Sequence, residues 1–180
     1  MKPTRQLTKH YAGISNPSGA VALSDNLFIV GDDEDNLLRI YDRDTFDKPL
    51  HILSLSDIFK GIIKNGPDLE IDIESMAAMG NVLFIIGSHS TSRTGEYRPA
   101  RHRLIAIQFK LDGNNKLNIH PVGEIYTHLV DDLKQDARFK PYRLDKAAKI
   151  SPKAIGGLSI EGLAATPDNG LLIGFRNPLS

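Results

Sequence analysis

One pattern, in which a final glycine follows the first residue by thirteen positions, occurs three times in the chain, and we call it the thirteen-residue step. The copies begin at Ser18, Glu74 and Glu161 and read SGAVALSDNLFIVG, ESMAAMGNVLFIIG and EGLAATPDNGLLIG. Each copy has a segment of small residues, a turn sequence and an apolar segment, which together predict a β-hairpin. Recurrence of one supersecondary unit is typical of propellers and solenoids, so the chain is predicted to be all-β and built from repeated units.

The composition is that of an ordinary globular protein, and it limits the classes of partner. The chain has 180 residues, of which 41% are hydrophobic and 24% charged, and its 22 Lys and Arg residues balance 22 Asp and Glu residues. Without a net positive charge, no overall field attracts nucleic acid or an anionic membrane surface. We therefore expect a protein that binds neither nucleic acid nor a membrane.

The cellular location is predicted from two absences in the sequence. The chain contains no cysteine, which excludes disulfides, thiolate zinc ligands and thiol catalysis and fits a reducing compartment. The basic residues of MKPTRQLTKHYAG precede no apolar run of about 7–15 residues, and no segment reaches the roughly 18 apolar residues of a membrane span. A cytoplasmic location is the expectation.

The first unit is predicted to be a meander of four strands over about residues 16–55. Its apolar segments are separated by turn-forming clusters such as Asp32–Asn36 and cover 20–23, 27–30, 37–41 and 49–54. Ser56 is predicted to cap a short helix near 56–63, which Asn65-Gly66-Pro67 then ends. Four strands and a connector are the content of one propeller blade.

The second unit is predicted over about 68–126, beginning with a strand in which acids and aliphatics alternate from Asp68 to Glu74. Its further strands are predicted at 82–86, 102–109 and 117–126, with a turn at Asp112–Asn115 before the last. An insertion follows over about 127–157, with a helix near 127–140 that Thr127 caps. A third unit over about 158–180 contains only the first two strands.

These units predict a single domain, 1–180, made of about two and a half four-stranded blades of an incomplete β-propeller. Because a propeller closes with about four to eight blades, we expect either the front part of a longer propeller or a protomer that self-associates through an open sheet edge. Alternating strand directions are expected to bring four loops to one face: 32–36, 88–101, 127–157 and 175–177. Function is expected on this loop-rich face.

The most distinctive chemical feature is an acidic stripe formed by Glu70, Asp72 and Glu74. Their spacing of two residues puts all three carboxylates on one face of a strand, about 7 Å apart. Glu161 occupies the position equivalent to Glu74 in the next unit. Oxygen-rich groups of this kind suit Ca²⁺ or Mg²⁺, and we predict Asp72, Glu74 and Glu161 as metal ligands. The alternatives are a catalytic carboxylate, or acids that are solvated or accept backbone N–H bonds that hold the units in register.

A basic loop at 88–103 is the second candidate site. Arginine binds phosphate and carboxylate groups in a bidentate manner, so a small anionic ligand is predicted to contact Arg93, Arg98, Arg101, Arg103, Arg176 and His89. The alternative is that the loop pairs internally with the acidic stripe. The six histidines show no ligand spacing, and only His89 and His102, at the two ends of this loop, are placed so that they could meet.

Three segments carry a resemblance to a known family: NPSGAVALSDNLFIVGDDEDNLLRIY, IDIESMA with the later GSHS and RHRLIAI, and GGLSIEGLAATPDNGLLIGFRNPL. They resemble a bacterial family of uncharacterised propeller proteins, the domain-of-unknown-function 3616 family, over most of 16–179. The resemblance implies a propeller fold and longer relatives, and it implies no reaction.

A more distant similarity is to phytase-like and esterase-like propellers. Ile160-Glu161-Gly162-Leu163 fits their strand motif, whereas Asp72-Ile73-Glu74-Ser75 has serine in place of glycine. The similarity implies phosphoester hydrolysis assisted by a channel metal, with Asp72, Glu74 and Glu161 as oxygen ligands and the arginines holding phosphate. A shared strand motif can equally be a packing signature.

The sequence thus predicts a β-propeller protein that binds a small anionic ligand or a divalent cation on its loop-rich face or in its channel. The first alternative is a metal-assisted phosphoester hydrolase, and the second is a protein-interaction scaffold without chemistry. Whether the protein is an enzyme is left open by the sequence, which contains no GxSxG, Walker or HExxH motif.

Overall fold

The computed structural model describes residues 9–45, 47–60, 62–64, 69–112 and 117–178. It is mostly β, with three antiparallel sheets and a few short helices, and the sheets do not close into a barrel within these residues. The predicted chain break at 65–67 and most of the predicted turn at 112–115 lie outside the described residues. No helix in the described part of the chain is long and apolar enough to span a bilayer.

The first sheet has four strands that pair in chain order. They are β1 (Pro17–Ala22), β2 (Leu27–Asp32), β3 (Leu37–Asp42) and β4 (His51–Ser54). The turn residues between them, such as Asp33 to Asn36, follow the predicted pattern, and the four predicted strands are all present. The side chain of Asn36 binds the connector that follows β4, because its Nδ2 donates to Leu69 O and its Oδ1 accepts from Ile71 N.

The second sheet also has four strands in chain order, and the third has two. The second contains β5 (Ile73–Met79), β6 (Val82–Gly87), β7 (Leu104–Leu111) and β8 (Leu117–Pro121). The third contains β9 (Ser159–Ala165) and β10 (Leu171–Asn177). Each copy of the thirteen-residue step therefore lies on two antiparallel strands, with pairs such as Val21↔Ile29, Met76↔Ile85 and Leu163↔Ile173.

Strand β6 of the second sheet packs against other sheets with both of its faces, which explains its continuous apolar sequence VLFII. Ile85 and Ile105 pack with Ile29 of the first sheet, whereas the neighbouring Ile86 packs with Ile160 of the third. Successive residues of a strand point to opposite faces, so a strand between two packed sheets needs apolar residues at every position. This burial is the main source of stability that holds the three sheets together.

The first strands of the three sheets lie beside one another, with β5 between β1 and β9. Strands β1 and β5 approach each other closely, because a Cβ on Gly19 would lie 3.1 Å from the Cα of Ser75. The hydroxyl of Ser18 donates to the carbonyl of Ile73, and the Ile160 amide donates to Ser88 O at 2.9 Å. The ends of β5 and β9 that carry acidic residues are therefore neighbours.

The predicted strand over Asp68–Glu74 is wrong for residues 69–72, and Asp68 lies outside the described residues. Strand β5 begins only at Ile73, and the pairing is irregular between Ile73 and Ser75. Asp72 has a φ of 58°, a left-handed conformation that a regular strand cannot contain. Its carbonyl accepts a hydrogen bond from the Ser88 amide at 3.0 Å, which holds this turn of the backbone against the loop after β6.

The helices are shorter than predicted, and their caps differ. Helix α1 (Leu55–Ile58) is capped by Ser54 rather than Ser56, because the fully buried Leu55 already begins the helix. Helix α2 (Leu129–Gln135) follows His128 without a side-chain cap, so Thr127 is not the predicted cap. The insertion continues with a 3-10 helix at Ala137–Tyr142 and with α3 (Leu144–Ala147).

The predicted fourth strand of the second unit, 117–126, is also too long. Strand β8 ends at Pro121, which has no N–H to donate, and Gly123 then turns the chain with a φ of 65°. Tyr126 returns to pair with Leu104 as an isolated bridge. The chain is thereby directed into the helical insertion.

Candidate functional site

Three of the four loops predicted to share one face, 88–101, 127–157 and 175–177, contact one another in the structure. Thr91, in the loop at 88–103, donates its hydroxyl to the carbonyl of Ile150 in the insertion at 3.0 Å. At the end of β10, the amide side chain of Asn177 donates to the carbonyl of Pro152 at 3.1 Å. The acidic and basic residues singled out from the sequence lie on or next to these loops.

Arg101 binds two members of the acidic stripe at once. Its Nη2 lies 3.1 Å from an oxygen of Glu70, and its Nη1 lies 3.1 Å from an oxygen of Asp72. Nη1 also donates to the carbonyl of Thr91 at 3.2 Å. The three charged side chains are mostly buried, with exposed fractions of 18%, 24% and 17% for Arg101, Glu70 and Asp72. Arg101 therefore pairs internally with the stripe, and its contact with an anionic ligand stays a prediction.

Arg176 binds the acid of the third sheet. Its Nη1 lies 2.7 Å from Oε1 of Glu161, and the Ser159 hydroxyl donates to the same oxygen at 3.0 Å. Both residues come from strands of one hairpin, so the pair links β9 to β10. Arg176 is the more exposed partner, with 43% of its side chain accessible.

Glu74 lies among these acids, and its carboxylate has no hydrogen bond or ion pair to any of the described residues. Burial is the largest cause that raises the pKa of Glu74 to about 8, and the negative charges of Asp72 and Glu161 add to it. The nearby Arg176 offsets only part of this effect. The unpaired carboxyl is thus held largely protonated at neutral pH.

Two further acids of the cluster have raised pKa values. Burial is the main cause for Asp72, and the Ser88 hydroxyl and Arg101 act against it. Burial is also the main cause for Asp33, followed by the charge of Asp72. One carboxylate oxygen of Asp33 is buried without a hydrogen-bond partner among the described residues. Repulsion among carboxylates therefore extends from the first sheet to the third.

Sequence reasoning did not identify Asp33 as a member of this cluster. The run from Asp32 to Asn36 predicts an acidic turn, and most of it has that role. Asp32 accepts hydrogen bonds from the amides of Ser15 and Asn16 at 3.1 and 3.2 Å, and Asp35 pairs with Arg39 at 2.7 Å. Only the position of β2 beside β5 brings Asp33 near Asp72, and no local sequence pattern contains that information.

A neutral residue at position 74 is expected to remove a pH-dependent loss of stability. Because the folded-state pKa of Glu74 is about 8 and its ordinary value is 4.5, the unfolded chain loses this proton first as pH rises. Stability should therefore fall between about pH 4.5 and 8 in the wild type, and less steeply in Glu74→Gln. Thermal melts between pH 5 and 9 measure the difference. Parallel profiles for the two proteins would contradict the assigned environment, and Glu124→Gln, at an exposed glutamate, is the matched control.

The predicted metal ligands Asp72, Glu74 and Glu161 influence one another electrostatically, but two of them are already ion-paired. In the part of the chain that the structure describes, no three His, Cys, Asp or Glu side chains are grouped so that they could hold a metal ion. Binding of Ca²⁺ or Mg²⁺ by these residues stays a prediction.

The other predicted anion ligands are dispersed among different environments. Arg93 is exposed, and Arg98 pairs with Glu96 at 3.1 Å. Arg103 has a lowered pKa because it is partly buried, and its Nη1 has no hydrogen-bond partner among the described residues. His89 is fully buried, and burial lowers its pKa to about 3, so its imidazole is neutral. It meets His102 edge to face, with ring centroids 5.4 Å apart.

Comparison with known proteins identifies a family for the chain, but it identifies no activity. A family model described as a protein of unknown function, DUF3616, matches residues 16–111, which cover the first sheet and most of the second. No curated protein matches the chain.

Proposed function

Because the chain belongs to the family of proteins of unknown function DUF3616, which supplies no reaction, we propose a function from the geometry of the acidic cluster. On this proposal the chain contributes blades to a β-propeller and binds a divalent cation where β1, β5 and β9 meet. The observation that carries the proposal is Glu74, a partly buried carboxyl among other carboxyls without a counter-charge of its own.

The arrangement of the sheets supports the propeller part of the proposal. In a propeller, four-stranded sheets stand around a channel and are packed face to face. Two of the sheets here have four strands in chain order, and the first strands of all three are neighbours. Because a ring takes about four to eight blades, the three sheets would form one part of it, with the acidic cluster at the channel.

The charge of the cluster supports a cation rather than an anion. Five carboxyl groups take part: Asp33, Glu70, Asp72, Glu74 and Glu161. They face two guanidinium groups, Arg101 and Arg176, and both of these are already bound to carboxylates. An anionic ligand would have to displace carboxylates from both arginines, whereas a cation would relieve repulsion that is already present.

A hydrated ion fits the donor groups best. Mg²⁺ commonly keeps several water ligands and binds through one or two protein carboxylates, whereas Ca²⁺ takes about 6–8 oxygen ligands. Since no complete set of three ligands is preformed among the described residues, Glu74 with one neighbouring carboxylate is the minimal protein contribution. Chain movement around Asp72 would be needed for a fuller site.

Binding of Mg²⁺ or Ca²⁺ is expected to depend on Glu74 and to strengthen as pH rises. The cation competes with a proton whose pKa is about 8, so affinity should increase from pH 6.5 to 8.5 and binding should release protons. Titration calorimetry in two buffers of different ionisation enthalpy measures both the affinity and the protons released.

Glu74→Gln should lose at least about tenfold in affinity, which corresponds to about 1.4 kcal/mol. Glu124→Gln, which changes an exposed glutamate outside the cluster, should bind like the wild type. Negligible heat in the wild type at pH 8.5, or equal affinity in Glu74→Gln, would exclude the cation and leave a scaffold without a ligand at this place.

A further inference from the structure

A separate cavity lies between the loop at 88–103 and the helical insertion. It has a volume of about 280 Å³, and its walls include Thr91 and Tyr97 from the loop, Val130 and Lys134 from α2, and Ala148 after α3. This volume is close to the lower end of the roughly 300–1,000 Å³ that is usual for small-molecule sites. The cavity therefore suits a ligand of one ring, and it does not include the acidic cluster.

Two aromatic rings form one wall of this cavity. Tyr97 and His102 both line it, and their ring centroids lie 4.6 Å apart in a tilted arrangement. His102 is 93% buried, with an exposed fraction of 7%, and its Nε2 has no hydrogen-bond partner among the described residues. Tyr97, by contrast, is 63% exposed although it is a large aromatic residue. The buried imidazole of His102 thus packs against the exposed ring of Tyr97.

The charges around the cavity balance. Two acids, Asp131 and Asp145, and two lysines, Lys134 and Lys149, line its rim. Asp131 and Lys134 lie 3.0 Å apart and neutralise each other. Burial lowers the pKa of His102 to about 4, so its imidazole adds no charge at neutral pH. The cavity offers donors and acceptors at its rim but no net charge to attract an ion.

We propose that this cavity binds a neutral, polyhydroxylated ligand of a single ring, such as a free monosaccharide or a cyclic polyol. The C–H face of such a ring would pack on Tyr97, which provides apolar contact area together with a polar hydroxyl. Its hydroxyl groups both donate and accept, so they can pair with lysine, with carboxylate and with a neutral imidazole. A charged ligand of the same size would lack a compensating charge at the rim. The proposal is independent of the cation site.

The test is saturation-transfer NMR with free glucose, galactose, mannose, N-acetylglucosamine, ribose and inositol, each at millimolar concentration with the whole chain. At least one of these probes should receive saturation in the wild type, mainly at its C–H protons. Tyr97→Ala should weaken that binding by about tenfold, because the phenol ring supplies the apolar surface on which the C–H face of the ligand packs. Tyr97→Phe keeps the ring and should retain most of the affinity.

Tyr142→Ala is the matched control, because Tyr142 is a partly exposed tyrosine that does not line the cavity. Tyr97 is largely exposed, so its removal should leave the melting temperature nearly unchanged, and a thermal melt of each variant verifies this. The proposal is overturned if no probe receives saturation from the wild type. It is also overturned if Tyr97→Ala and the wild type give equal signals.

Discussion

Replacement of Gly87 by alanine is expected to lower the free energy of unfolding by about 2–3 kcal/mol, the cost of overpacking a filled site. A Cβ at this position would lie 2.5 Å from two backbone oxygens, those of Arg101 and Ile71. Neither oxygen belongs to a flexible side chain, so the clash has to be relieved by movement of the backbone. Such movement would disturb the turn at Asp72 and its contact with the loop at 88–103.

The same change at the equivalent glycine of the third copy, Gly174, is the matched control. A Cβ there would meet its nearest atom, the Cα of Gly162, at 3.4 Å, which is an ordinary contact distance. Alanine also restricts the unfolded chain, so Gly174→Ala should change stability by no more than about 0.5 kcal/mol in either direction. Gly31 should be intermediate, because its Cβ would meet a side-chain methyl group, Cγ2 of Ile73, at 2.9 Å rather than backbone.

Urea unfolding of the three alanine variants measures this order, with the slope of the transition checked for constancy. For a chain of this length the cost at Gly87 corresponds to a decrease of roughly 5–10 °C in melting temperature. Equal effects at Gly87 and Gly174 would show that the close approach around Gly87 is not present in solution.

Arg101→Met is expected to destabilise the protein by about 2–4 kcal/mol at pH 8, because it leaves Glu70 and Asp72 mostly buried without their shared partner. Methionine keeps much of the volume of the arginine side chain, so the effect reports mainly on the lost charge and hydrogen bonds. Arg138→Met, which removes an ion pair whose arginine is 83% exposed, should change stability far less than Arg101→Met, because solvent screens the pair.

The loss of stability caused by Arg101→Met should increase as pH rises. Arg101 lowers the pKa of Asp72 against the effect of burial, so its removal raises that pKa further above the ordinary value of 3.8. A carboxyl whose folded-state pKa is raised destabilises the fold as pH rises from its unfolded value towards its folded value. The penalty should therefore be smallest near pH 4 and largest at neutral pH and above.

Denaturant midpoints at several pH values measure this dependence. The double variant Arg101→Met with Asp72→Asn should recover part of the loss, since the amide carries no charge to be left unpaired. A pH-independent penalty, or no recovery in the double variant, would mean that Arg101 stabilises the loop by packing alone.

The hairpins of this protein are predictable from its sequence because their signals are local. Turn residues such as Ser24-Asp25-Asn26 between apolar segments specify where β1 and β2 begin and end, within a few residues. The alternation of acids and aliphatics around Glu70 and Asp72 wrongly predicts a strand there, because this signal is also local. It is a correct pattern for a strand, but the contact of Asp72 with Ser88 imposes a left-handed turn that no local pattern contains.

The candidate site is only partly predictable. Sequence analysis identified Glu70, Asp72, Glu74 and Glu161, together with the possibility that the basic loop pairs with them. It did not identify which arginines are engaged, that Asp33 joins the cluster from the first sheet, or that Tyr97 and His102 line a cavity with the insertion. These relations join residues far apart in the chain, and they follow from the packing of one sheet on the next.

Local patterns in the sequence are enough to predict a β-rich protein, hairpins at three places, and acidic and basic residues near the ends of those hairpins. Turn chemistry and hydrophobic alternation act within a few residues, so they can be recognised directly in the sequence. The pairing of Arg101 and Arg176 with carboxylates, and the lack of a partner for Glu74 among the described residues, follow only from the folded structure. Whether a charged side chain is paired depends on its burial and on partners from other sheets, which come together only when the sheets pack.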